Sequence, residues 1–71
     1  MTWFFERASE IAACEVRRTP THFEIAIRRP DQEETVALAH NAAELLSQLE
    51  IAPRALLQDG WRCRSHYRMI L

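Results

Sequence analysis

Lysine is absent from this 71-residue chain, so all nine basic side chains are arginine. Glycine occurs once, at Gly60, which leaves no glycine-rich loop to cradle a phosphate. The two cysteines, Cys14 and Cys63, stand far apart in sequence, and no C-x-x-C pair marks a metal site or a redox centre. Apolar runs reach only four residues, far short of a membrane span. Glu6 and Glu10 fall where a secretory leader would need an apolar run, so none is expected. These absences predict a cytoplasmic protein with two free thiols and no membrane partner, although spacing alone does not exclude a bridge between Cys14 and Cys63.

What is present is enough for one small domain over residues 1–71. A chain of this length buries about 60% of the surface its unfolded form exposes, which leaves it marginally stable unless something adds to the core. The formal net charge is −1, without a global preference for nucleic acid or acidic lipid. Its distribution is uneven. Arg62, Arg64 and Arg68 give residues 61–71 a charge of +3 with no acid, against six arginines and ten acids in the first sixty residues.

The segment from Thr21 to Leu49 organises the rest. Phe23, Ile25 and Ile27 alternate with polar or small neighbours, the period of a half-buried strand. Pro30 and Asp31 bring turn chemistry, and Val36 and Leu38 then resume the alternation. After Asn41 the period becomes helical, with Ala42, Leu45, Leu46 and Leu49 on one stripe. Asn41 suits an N-cap, with Glu44 three residues on to complete a capping box.

Residues 3–18 read either as one helix, with Phe4, Ala8, Ile11 and Ala12 on a face, or as two strands around a turn at Ala8-Ser9-Glu10. The short Thr19-Pro20-Thr21 turn favours strands, because it forces its flanks antiparallel. Pairing Arg18 with Phe23 sets Val16 against Ile25 and Cys14 against Ile27, and on the other face sets Arg17 against Glu24. One register satisfies both faces. For the next turn two registers are expected, pairing Val36 with either Ile27 or Ile25. Pro53 predicts a helix break near Ala52, with a second helix in which Ile51 staples onto Leu56. Gly60 then ends that helix in a left-handed cap, with Trp61 folding back onto Leu56. Residues 61–71 alternate again, as an edge strand or as an arm.

The series Trp3-Phe4-Phe5-Glu6-Arg7, Cys14-Glu15-Val16-Arg17-Arg18, Phe23-Glu24-Ile25, Pro30-Asp31 and Asp59-Gly60-Trp61 resembles short bacterial proteins of unknown function. The resemblance covers about residues 3–61 and implies a β-meander followed by helix, with no activity or site attached. It departs at Gln32, where such proteins place glycine.

The expected fold is therefore α+β: an antiparallel β-meander of about four strands, packed by a broken C-terminal helix. Its core would draw on Phe4 or Phe5, Val16, Phe23, Ile25, Ile27, Val36, Leu38, Leu45, Leu46, Leu49, Leu56, Leu57 and Trp61. No catalytic, cofactor-binding or metal-binding residues are predicted. His22, His40 and His66 with Cys14 and Cys63 lack the close ligand pair of a zinc site. Registered this way, the solvent side of the sheet carries Ala13, Ala26, Ala37 and Ala39, a smooth strip suited to a second copy of the chain or a partner protein. The alternative is a single-stranded nucleic-acid binder using Arg17, Arg18, Arg28, Arg29, Arg62, Arg64 and Arg68, whose bland counterpart is solvated strand charge.

Overall fold

Two adjacent strand-forming segments separated by only two residues must fold back on each other, and they do. The computed structural model describes the backbone of residues 1–67 and the side chains of residues 1–64. In it β1 (Thr2–Arg7) pairs antiparallel with β2 (Glu10–Arg18), Arg7 opposite Glu10. Of the two turn residues between them only Ala8 has a positive φ, 55°, as in hairpin turns whose first position favours glycine.

Strand β3 (Phe23–Arg28) joins β2 in the register the sequence predicts, with Arg18 on Phe23, Val16 on Ile25, Cys14 on Ile27 and Arg17 on Glu24. The connecting turn is tied by the Thr19 hydroxyl, which donates to the His22 carbonyl at 2.9 Å and accepts from its backbone N–H at 3.0 Å. Strand β4 (Thr35–Ala39) follows, then helix α1 (Ala42–Gln58), then β5 (Arg62–Tyr67). The sheet order is β4-β3-β2-β1-β5, all neighbours antiparallel. The fold is α+β: a five-stranded antiparallel sheet packed on one face by one helix. Arg68 and Met69 of the alternating tail lie outside the described residues.

β4 departs from expectation by one residue. Val36 pairs with Ala26, and Leu38 with Glu24, so both point away from the helix, while Ala37 and Ala39 point toward it. The reason lies in chain length. Helix α1 starts three residues after β4 ends, so its first turns lie close over β3 and β4, with room for alanine rather than leucine. Ala39 is completely buried there, whereas Val36 and Leu38 are 47% and 50% exposed.

The helix also departs from expectation, running unbroken through Pro53. That ring leaves the Leu49 carbonyl without its helical donor. Ala52 and Leu56, both buried, pin the helix on either side of it. No second helix starts there, and Ile51 faces solvent instead of stapling onto Leu56. Both helix ends follow their sequence signals. Asn41 Oδ1 accepts from the Glu44 N–H at 2.9 Å. At the other end Gly60 (φ 87°) donates to the Leu57 carbonyl and Trp61 to the Leu56 carbonyl, the paired bonds of a Schellman motif.

The core between sheet and helix comprises Phe5, Ala12, Cys14, Ile25, Ala39, Ala52, Leu56 and Trp61, with Trp3, Phe23, Ile27 and Leu45 at its margin. Of the predicted core, Leu46 and Leu57 are exposed, because they flank the buried stripe of α1. Both cysteines are free. Burial pushes the Cys14 thiol up to about 11, which keeps it protonated and unreactive at neutral pH.

The two left-handed residues make opposite predictions. Ala8→Gly removes a Cβ penalty and should stabilise the protein by about 1 kcal/mol. Gly60→Ala should destabilise it by about 1 kcal/mol or more, through the backbone, since the added Cβ meets only Arg7 Cδ at 3.6 Å. Urea midpoints of the two variants test both signs.

Candidate functional site

The side of the sheet away from the helix is where the sequence placed its interaction surface, and the structure rearranges it. The four alanines Ala13, Ala26, Ala37 and Ala39 do not share a face. Ala37 and Ala39 are on the helix side of the sheet, for the packing reason given above, and Ala39 is part of the core. Ala13 and Ala26 do lie on the helix-free face, yet they are only 7% and 1% exposed.

The burial of Ala26 follows from an ion-pair network. The Arg17 guanidinium reaches Glu15 on its own strand and Glu34 just before β4, the latter through two nitrogens, Nη1 lying 3.3 Å from Oε2. Arg28 Nε lies 4.0 Å from the same Glu34 carboxylate. In register, the path from Arg17 on β2 to Glu34 crosses β3 at Ala26, so the guanidinium arm roofs the small residue beneath it. Hydrogen bonds from Arg17 hold the Glu34 carboxyl below the usual carboxylate range, and the same bonds raise the Arg17 pKa.

Around this charged centre the helix-free face is apolar at its flanks. Phe4 stands opposite Ala13 on the β1 side, next to the 42%-exposed Ile11. On the β4 side Val36 and Leu38 stand side by side on the last strand of the sheet.

The arginines do not form one surface. Arg17 and Arg28 converge on Glu34, and Arg64 Nε lies 3.9 Å from Glu6 on the β5 side. Arg18 and Arg62 are exposed at separate positions, Arg62 opposite Glu6 on the outer strand. Arg29 leaves the sheet altogether. Its Nε lies 3.9 Å from Asp59 at the end of α1, where Arg7 also donates to the Asp59 carbonyl at 2.8 Å and stacks 4.4 Å over the Trp61 ring. Two cations at a helix C-terminus complement its partial negative charge. Arg29 Nε and Trp61 Nε1 are buried there without hydrogen-bond partners. The sequence hinted at this cluster only through Arg7, which shares parity with the core residue Phe5 at the end of β1.

The histidines and cysteines whose side chains are described are dispersed, and the His66 side chain lies outside the described residues. His22 sits in its turn beside Thr19 and Thr21, His40 pairs with Glu44 at 3.3 Å, Cys14 is in the core, and Cys63 is exposed on β5. Among the described residues, no three His, Cys, Asp or Glu side chains are grouped to hold a metal ion. A concavity lined by Glu50, Ile51, Arg54, Ala55 and Gln58 belongs to α1 alone and brings no second element to it. Among the described residues no helix is long and apolar enough to cross a membrane. No family model matches the chain, and no curated protein or solved structure matches it either.

Because the Glu34 pKa is depressed in the folded state, its stabilising effect is present above the unfolded-state value of about 4.3 and is lost as pH falls through the folded value. Glu34→Gln should therefore lose less stability on acidification from about pH 6 to about pH 3 than the parent chain does. The difference should shrink in high salt, since the pair is exposed. Urea midpoints across that pH range check it.

Proposed function

We propose that this chain is a small non-enzymatic protein-interaction module of the cytoplasm, and that its contact surface is the β4 side of the helix-free sheet face. One observation carries the reading: Val36 and Leu38 are half exposed, adjacent, and on an edge strand. A valine and a leucine displaced from the core by register, on a strand whose outer side has no strand beside it among the described residues, form a surface that gains by being covered. Free thiols and a protonated buried Cys14 suit a reducing compartment. The resemblance to short bacterial proteins fits this reading without adding an activity.

Placing a photo-crosslinking phenylalanine derivative at position 38 tests the proposal in cells. Discrete protein adducts, identified by mass spectrometry, are expected there and not with the same group at Arg54 on the exposed side of α1. Absence of adducts at both 36 and 38 would count against the surface.

The nucleic-acid alternative finds less support, since Arg17, Arg28, Arg29 and Arg64 lie near carboxylates, and Arg18 and Arg62 are exposed at separate positions. Titration with a mixed-sequence single-stranded RNA should show no saturable binding at low salt. A binding constant falling steeply with salt would favour the alternative, because released counterions report phosphate contacts.

A further inference from the structure

We infer that the occupant of this surface is a second copy of the chain, paired antiparallel through the free edge of β4. The inference rests on the interaction reading above and names its partner.

The two edges of the sheet are built differently. β5 carries Arg62 and Arg64, and its pairing with β1 shifts register between Phe4 and Phe5. Charge and a bulge are the devices by which edge strands resist pairing. β4 has neither. Thr35-Val36-Ala37-Leu38-Ala39 contains no charge and no proline, and it pairs with β3 in five unbroken steps. Its outer backbone N–H and C=O groups therefore present a regular, uncharged template.

The sequence of that template is self-complementary. A continuous sheet across a two-fold axis requires paired residues to share a face, which leaves registers centred on Val36, Ala37 or Leu38. Centring on Val36 sets Glu34 against Leu38 of the second copy. Centring on Leu38 sets Val36 against its His40. Centring on Ala37 instead sets Val36 against Leu38 twice, Thr35 against Ala39, and Glu34 against His40. That register covers every half-exposed apolar side chain of the strand, brings carboxylate to imidazole, and faces no like charges. It yields a ten-stranded sheet with both helices on one face.

The contact is small. Five residues span about 17 Å, and such a seam falls below the ~1,000 Å² of a stable interface. The dimer is accordingly concentration-dependent, not obligate.

Sedimentation equilibrium from micromolar to millimolar protein tests this. The parent chain should move from 8.3 kDa toward twice that mass. Val36→Lys with Leu38→Lys opposes like charges across the seam and should stay monomeric, with the fold retained by circular dichroism because both sites lie outside the buried core. Val36→Glu with Leu38→Lys opposes unlike charges in the Ala37-centred register and should regain association. A parent chain monomeric throughout, a double-lysine variant that associates as the parent does, or a folded Glu/Lys variant that stays monomeric would each overturn the inference. If the parent is monomeric while position 38 still crosslinks to other proteins, the self-pairing falls and the interaction reading stands. If neither is seen, both fall.

Discussion

A helix that begins three residues after an edge strand has no freedom to stand away from it, and the side chains between the two set how close it comes. In this protein that gap is filled by Ala39, completely buried beneath the start of α1. Much of the rest depends on this spacing. It fixes which parity of β4 faces inward, and so sends Val36 and Leu38 outward. It also turns Glu34 to the helix-free face, where Arg17 and Arg28 meet it. Truncating one fully buried leucine such as Leu56 costs about 2–5 kcal/mol, a large share of the 5–15 kcal/mol typical of a folded domain. A chain this small therefore has little margin for moving its helix outward to admit a larger residue at position 39.

The helix-free face shows how a sheet can be closed without a second layer. A solvent-facing alanine ordinarily leaves backbone open to water. Ala26 instead lies under an arginine that is anchored by Glu15 and Glu34. Exposed ion pairs of this kind add little stability individually. Their effect here is steric as well, since the aliphatic part of Arg17 covers the sheet and Glu34 fixes where that arm lies. The cover is confined to the middle of the face, and the apolar flanks at Ile11 and at Val36 and Leu38 remain open.

The sequence was legible wherever two independent signals agreed. The β2–β3 register follows from the apolar side, Val16 on Ile25, and equally from the charged side, Arg17 on Glu24. The helix ends follow from Asn41 with Glu44 and from Asp59-Gly60-Trp61. β4 was illegible because Val-Ala-Leu-Ala is apolar at both parities, so hydrophobic pattern cannot choose between them. The choice is made by helix proximity and by Glu34, neither of which is local. Pro53 misled for a related reason, since its penalty is local while Ala52 and Leu56 are held by tertiary packing. Hence the candidate surface moved from an alanine strip to the neighbouring Val36 and Leu38. The cluster of Arg7, Arg29, Asp59 and Trp61 draws on β1, the residue after β3 and the end of α1, and no single stretch announces it.

β5 has a consequence for vectorial synthesis. It completes the sheet beside β1, so β1 is partnered on one side by a strand that begins sixty residues after it, Thr2 opposite Tyr67. At roughly 5–20 residues per second, translation leaves β1 an open edge for about 3–12 s after it forms. That edge displays Trp3, Phe4 and Phe5 in succession, a sticky seam in the nascent chain and an interior strand in the finished one. A chaperone that binds extended aromatic segments would meet this chain at β1, and only until β5 is made.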